Sequence, residues 1–290
     1  NHLDVAKKQL ETLPDENFIV EPEGRDTAAC IGYSALMLLK RDKDAVMVVL
    51  PADQYVPDSE NFVETINVAA KCATIGDYLI TIGITPARPE TGYGYINAHE
   101  ILQDIKGEIC YKVNRYVEKP NVETAKTYIR DGHYYWNSGI FVWQARVLID
   151  GIARFMPGLY TCLLKLKDAI SSNDSVKIES IYKGIQRKSI DYGLMEKADN
   201  VLMVPAKFIW DDVGTWSSIS RVMSSDSNGN CIKGHVINVD TKDCVIITEG
   251  FVTGTIGVSN LVIVVSKNGV LVSSVERVQE VREIVRRLLQ

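Results

Sequence analysis

The chain has 290 residues, with 32 lysines and arginines against 37 aspartates and glutamates and a formal charge of −5. That length suffices for one large domain, or one domain with an appendage, without disulfide or metal staples. The dispersed, mildly acidic charge argues against a surface that wraps nucleic acid. No apolar run approaches the ~20 residues of a membrane span and no signal-peptide pattern opens the chain, so a soluble cytoplasmic protein is expected.

Leu3 to Leu10 reads as a helix, and Asn17 to Val20 as a short strand after the turn Leu13-Pro14-Asp15-Glu16. A helix from about Thr27 to Lys40, with Ile31, Ala35, Leu38 and Leu39 as its buried stripe, leads into the run Ala45-Val46-Met47-Val48-Val49-Leu50. That run is continuous rather than alternating, as in a central parallel strand covered on both faces. A helix over 61–73 and a strand over 78–84 follow, then an alternating strand from Val113 to Pro120 and a helix capped by Asn121 that runs through Ile129. Trp136 to Trp143 is an aromatic, β-branched strand, and 145–190 is mostly helical and amphipathic. Alternating strands and helices predict a doubly wound α/β mixed sheet over 1–223.

From about residue 224 the texture changes to short strands at 236–239, 244–247, 261–265 and 269–272, separated by turns such as Lys267-Asn268-Gly269. Residues 224–290 therefore form a second, β-rich module, a partial solenoid or curled sheet. Val278, Val281, Val285, Leu288 and Leu289 then give a closing amphipathic helix. The six cysteines, Cys30, Cys72, Cys110, Cys162, Cys231 and Cys244, show no Cys-x-x-Cys spacing, and there are four histidines, so zinc is not expected. The cysteines read as reduced core residues.

Two acids draw attention, Asp53 in Pro51-Ala52-Asp53 and Asp212 in Trp210-Asp211-Asp212-Val213-Gly214, each just past an apolar stretch that ends in a turn. A hard divalent cation acting on phosphates takes one or two protein carboxylates and fills the rest of its shell with water and substrate oxygens, so the pair suits Mg²⁺. Asp53, beyond the carboxyl end of a strand, also lies where α/β sheets collect ligands; a helix cap explains it equally well.

Arg25-Asp26-Thr27 stands at a helix start, where free N–H groups and a guanidinium suit a nucleotide and where an ordinary cap is the plainer reading. Thr91-Gly92-Tyr93-Gly94-Tyr95 offers close backbone approach and the aromatic faces of Tyr93 and Tyr95 to a sugar ring, or is a hairpin turn. Glu118 suits sugar hydroxyls and Lys119 a phosphate, yet strand alternation would turn these neighbours to opposite faces unless the strand ends or bulges there. Asn137-Ser138-Gly139 offers neutral donors and acceptors, or only a turn. Asp191 precedes a predicted helix, where a cap is the usual explanation.

Taken in order, Pro51-Ala52-Asp53, Glu90-Thr91-Gly92-Tyr93-Gly94-Tyr95-Ile96, Glu118-Lys119-Pro120, Trp136-Asn137-Ser138-Gly139-Ile140-Phe141, Ser189-Ile190-Asp191-Tyr192 and Trp210-Asp211-Asp212-Val213-Gly214-Thr215-Trp216 closely resemble the mannose-1-phosphate guanylyltransferases, also called GDP-mannose pyrophosphorylases. The resemblance implies a nucleotide-diphospho-sugar transferase fold of the GT-A-like type and synthesis of GDP-mannose and pyrophosphate from GTP and mannose 1-phosphate. It implies Mg²⁺ on Asp53 and Asp212, mannose on Glu118, Asn137 and Asp191, its phosphate on Lys119, and backbone contact at Gly94. Arg25, Asp26 and Thr27 would then lie near the guanosine, and the β-rich tail would resemble the short β-helical appendage through which some relatives form homodimers. The family has a histidine where Gln54 stands, and Asn is commoner than Asp26. It also opens on a strand and a glycine-rich loop with an arginine and a lysine that cradle the triphosphate, whereas this sequence starts at the helix after them. A non-catalytic relative that binds sugar nucleotide, or an enzyme for another hexose 1-phosphate, are the alternatives.

Overall fold

The structure is a computed structural model that describes residues 2–102, 109–214 and 216–288. Thr215, in the tryptophan-flanked acidic motif, and Leu289, assigned to the closing helix, lie outside the described residues. The chain forms two compact units, Asn1–Pro51 with Asp58–Phe208, and Ala52–Pro57 with Ile209–Gln290.

The first unit runs through α1 (His2–Gln9), α2 (Thr27–Arg41), β1 (Val46–Val49), α3 (Ser59–Thr74), β2 (Leu79–Ile84), β3 (Tyr95–Ile101), β4 (Tyr111–Val117), α4 (Val122–Asp131), β5 (Tyr134–Gln144), α5 (Ala145–Phe155), α6 (Pro157–Ser171), α7 (Ser175–Lys183) and β6 (Val201–Pro205). Among the described residues the strands make a six-stranded mixed sheet in the order β1-β5-β2-β6-β4-β3, and the start of β5 also pairs with β3. β2 and β6 are parallel, while β5 runs antiparallel to both β1 and β2. Helix ends follow the local chemistry. Asp58 accepts from the Asn61 N–H at 3.1 Å to cap α3, and Asn121 accepts from the Thr124 N–H at 2.9 Å to cap α4. Gly132, at φ 79°, ends α4 in the left-handed conformation that glycine adopts freely. The core lies where Ala28, Ile31 and Ala35 of α2 pack with Leu148 and Ile152 of α5 and Leu163 of α6. Leu38 and Leu39 of the expected α2 stripe are partly buried against this core.

The structure corrects three of the sequence expectations. The run 45–50 is not a central parallel strand: β1 pairs only with β5, antiparallel, among the described residues. Met47 is buried, while Val46 and Val48 on the other face are 36% and 40% exposed. A β-branched run suits any strand, and its neighbours are chosen by tertiary pairing, which local periodicity does not encode. Residues 17–20 do not form a strand, because the N–H groups of Asn17 and Phe18 donate to the carbonyls of Pro14 and Asp15 in a 3-10 turn. The cysteines are not all reduced: Cys72 on α3 and Cys110 before β4, both fully buried, are joined as a disulfide, while Cys30, Cys162, Cys231 and Cys244 are free.

The second unit holds α8 (Trp216–Val222), β7 (Cys231–Lys233), β8 (Val236–Val239), β9 (Val245–Thr248), β10 (Thr253–Ile256), β11 (Leu261–Ser266), β12 (Gly269–Ser274), a 3-10 turn over Val275–Glu280 and α9 (Val281–Leu288). β7, β9 and β11 stack in parallel, which aligns Cys231, Val245 and Val262 as one buried column. β8 and β10 form a parallel second wall, so the module is a short β-helix whose turns repeat the same inward face. Asn230 ties successive coils from inside. Its amide donates to Asp226 Oδ2 at 3.0 Å and the Thr241 carbonyl at 2.8 Å, and its oxygen accepts from the Cys244 N–H at 3.1 Å.

Candidate active site

In the first unit, four separated motifs meet at one place. Gly94 lies immediately before β3, and its carbonyl accepts from the Asn137 N–H at 2.8 Å. A Cβ on Gly94 would stand 2.6 Å from Glu118 Oε2 and 3.6 Å from Asn137 Cβ, so glycine is needed for Glu118 to occupy its place. Asn137 in turn donates from Nδ2 to Asp191 Oδ1 at 2.8 Å, and its Oδ1 accepts from the Gly139 N–H at 3.1 Å. Gly139 has φ 71°. Ser138 points the other way and bonds within the sheet, its hydroxyl donating to the Ile82 carbonyl at 2.7 Å where the β2–β5 register shifts. It holds the bulge that turns Asn137 toward Asp191.

The alternation that would separate Glu118 from Lys119 does not apply, because β4 ends at Val117 and Lys119 adopts φ 43°. The two side chains meet, Lys119 Nζ lying 3.0 Å from Glu118 Oε1, with the lysine more than half exposed. A cation beside a carboxylate can serve a phosphate and a hydroxyl of one sugar phosphate.

Burial pushes the Asp191 carboxyl above its ordinary range, the Asn137 hydrogen bond partly offsets this, and the negative charges of Glu118 and Asp26 add to the rise. Glu196 is also raised, first by burial and then by Glu118 and Asp191. Sequence reading missed Glu196; its spacing of five residues from Asp191 was the available signal.

The loop before Gly94 is stiffened by Glu90 and by Arg88, which lies just outside the motif. Glu90 accepts from the N–H groups of Thr91 and Gly92 at 3.1 and 3.2 Å and from Arg88 Nε at 3.2 Å, while the Tyr95 hydroxyl donates to the Glu90 carbonyl at 2.8 Å. The Arg88 guanidinium lies 4.9 Å from the Trp136 ring centre, and Tyr93 meets Trp136 edge-on at 5.3 Å. Tyr93 thus packs within the loop, against the ring that precedes Asn137.

At the start of α2, Arg25 Nη2 pairs with Glu23 Oε2 at 3.0 Å. Asp26, at φ 69°, accepts from the Thr27 N–H at 2.7 Å, and the Ala28 N–H donates to the Lys188 carbonyl at 3.3 Å. The N–H groups of Thr27 and Ala28 therefore have protein acceptors.

In the second unit, Tyr55 and Asp211 exchange two backbone hydrogen bonds, 2.9 and 3.1 Å, in an isolated antiparallel bridge. This bridge brings Asp53-Gln54 alongside Asp212-Val213. Trp210 Nε1 donates to Gln54 Oε1 at 2.9 Å, so the residue that departs from the family pattern supplies an acceptor for the neighbouring motif. Of the tandem acids, Asp211 is 5% exposed and takes both Arg221 Nε at 2.7 Å and Nη2 at 3.0 Å, with the Val213 N–H on the same carboxylate at 3.0 Å. A Cβ on Gly214 would stand 2.8 Å from Asp212 Oδ2, so the glycine leaves room for that carboxylate. No cluster of three or more metal-ligating side chains occurs among the described residues. Asp53 and Asp212, carried on the two strands of this bridge, are carboxylates of the kind a small hard cation takes when it completes its shell with water and phosphate oxygens.

A mixed α/β sheet carrying a cluster of polar side chains, followed by a short β-helix, is the architecture of a nucleotidyl transferase. The nucleotidyl transferase family model matches residues 2–229, and the mannose-phosphate isomerase/GMP-like β-helix domain model matches 234–288. The mannose-1-phosphate guanylyltransferase of Salmonella montevideo is 38% identical over 99% of this chain and 61% of its own length, and that of Escherichia coli K12 is 34% identical with the same coverage. The alginate biosynthesis protein AlgA of Pseudomonas aeruginosa is 34% identical over 99% of this chain and 60% of its own. A solved structure from Thermus thermophilus, described as a mannose-1-phosphate geranyltransferase, superposes with a TM-score of 0.84 at 35% identity, over 94% of this chain and 78% of that one. The chain belongs to the nucleotidyl transferase family. It spans about 61% of the length of the first curated relative it matches.

Proposed function

We propose that this chain takes part in making GDP-mannose and pyrophosphate from GTP and mannose 1-phosphate. The observation that carries the reading is the convergence of Gly94, Glu118, Asn137 and Asp191 around one polar site. Glu118 and Asp191 accept hydrogen bonds from sugar hydroxyls, the Gly94 backbone lets the ring approach closely, and Asn137 fixes the Asp191 carboxylate. Gly139 supports Asn137, and Tyr93 holds the loop that presents Gly94. Lys119 meets the sugar's phosphate, and Arg25 and Asp26 border the guanosine.

In this reading a phosphate oxygen of mannose 1-phosphate attacks the α-phosphorus of GTP in line and the bond to the bridging oxygen of pyrophosphate breaks, with no covalent enzyme intermediate. Such transfers rest on positioning and charge stabilisation, so no nucleophilic serine, cysteine or histidine is needed. Asp53 and Asp212 would hold Mg²⁺, which supplies charge stabilisation at the phosphate oxygens. A cytoplasmic location goes with GTP and a sugar phosphate as substrates. Exposed Ile256 and Val270 on the β-rich unit support a homodimer formed through that module, which sedimentation would read directly. The test of the activity is pyrophosphate release from GTP and mannose 1-phosphate with Mg²⁺, with GDP-mannose identified by mass. Binding of GDP-mannose without turnover would instead favour a non-catalytic relative, and turnover with a different hexose 1-phosphate would change the substrate.

A further inference from the structure

We infer that Thr27 is a positioning residue for the sugar site: its hydroxyl oxygen, at the start of α2, holds the turn that presents Asp191. The inference rests on the reading of Asp191 as a sugar ligand and departs from the placement of Thr27 on the guanosine side.

The Ile190 N–H donates to Thr27 Oγ1 at 2.9 Å, a bond across 163 residues of sequence. Beside it the Ala28 N–H donates to the Lys188 carbonyl at 3.3 Å, so two consecutive residues of α2 grip 188 and 190. Ile190 itself is 1% exposed, so its N–H has no easy recourse to water if Thr27 is lost. Asp191 is the next residue and opens a tight turn in which the Gly193 N–H donates to the Ser189 carbonyl at 2.9 Å and the Glu196 N–H to the Asp191 carbonyl at 3.0 Å.

A shift at Ile190 is therefore carried directly into the Cα of Asp191, whose carboxylate reaches Asn137 at 2.8 Å. The Asp26 charge also acts on Asp191, which marks the α2 start as part of the same electrostatic neighbourhood. The Thr27 N–H is bound to Asp26 within the turn, and the Ala28 N–H is committed to Lys188 in the junction.

The test is calorimetry on the full chain with mannose 1-phosphate and, separately, with GTP and Mg²⁺. Thr27→Val keeps the shape and removes the acceptor. It should weaken mannose 1-phosphate binding by roughly three- to tenfold, the worth of one partly buried hydrogen bond, while GTP binding stays within about twofold. Thr27→Ser should restore the sugar affinity, which a loss of packing alone would not explain. Should Thr27→Val fold poorly, Thr27→Ala compared with Thr27→Ser reads the same bond. Unchanged sugar affinity in the valine and alanine variants, or a GTP affinity that falls as far as the sugar's, overturns the inference and leaves the proposed activity standing. A parent chain that binds no mannose 1-phosphate at all overturns the sugar-site reading, and this inference with it.

Discussion

Asn137 gives one amide hydrogen to Asp191 at 2.8 Å, and that bond both fixes the direction of the carboxylate and favours its ionised form. The Asp191 carboxyl is raised by burial, and the amide works against the rise. An aspartate with a raised folded value favours folding below its ordinary range, and that contribution is lost as pH rises through the folded value. Above it the ionised, buried Asp191 costs stability. Asp191→Asn should therefore raise Tm by a few degrees at neutral pH while mannose 1-phosphate binding collapses, and the Tm gain should fade under acid. A lower Tm at neutral pH would contradict the burial account. In the parent, sugar binding should weaken on acidification at a pH above that of an ordinary aspartate, and Asn137→Ala should move the inflexion further up.

Gly94→Ala separates folding from chemistry. The atom a Cβ would strike is Glu118 Oε2, the far end of a flexible side chain, so the fold can yield and the site cannot. Thermal unfolding should move little, while the KM for mannose 1-phosphate rises on the order of tenfold to a hundredfold as Glu118 is displaced. Equal kinetics in parent and variant would remove Glu118 from the sugar site.

Asp212→Asn should reduce Mg²⁺-dependent pyrophosphate release by on the order of a hundredfold or more, with the circular dichroism spectrum retained. Titrating Mg²⁺ against the residual rate should show half-maximal activity at a higher Mg²⁺ concentration than in the parent, because the cation has lost a ligand. Parent-like rates at limiting Mg²⁺ would take Asp212 out of the metal site.

Arg221→Ala leaves the buried Asp211 carboxylate without its bidentate partner. Removing one member of such a pair costs about 3–5 kcal/mol, because the other charge stays behind in a poorly solvated place. The second unit should unfold at lower denaturant, and Asp211→Asn in the same chain should recover part of the loss. A midpoint shift near zero would show that water reaches Asp211.

The positions of Asn121, Gly132 and the apolar stripe of α2 are legible in the sequence because capping and helical periodicity are local properties. The position of β1 is not: Val46 to Val49 look the same beside one neighbour as between two, and only the pairing with β5 decides it. β3 escaped because Tyr95 to Ile101 reads as the continuation of a glycine turn. β6 escaped because Val201 to Pro205 is a short apolar run following a long helical stretch. In the site, the motifs carrying Gly94, Glu118, Asn137 and Asp191 could be recognised one by one through family resemblance. Their meeting depends on how β3, β4 and β5 are ordered, which no single window contains. The tandem acids show the same limit: only the Arg221 pair reveals that Asp211 is occupied with structure.

Lys119 sits at φ 43°, in a region where a side chain costs about 1–2 kcal/mol and a glycine would cost almost nothing. The left-handed kink is also what lets its ammonium rejoin Glu118 on one side of the chain. Stability and the proposed chemistry thus pull in opposite directions at this position: glycine would take the kink without strain and would discard the cation proposed to meet the sugar's phosphate.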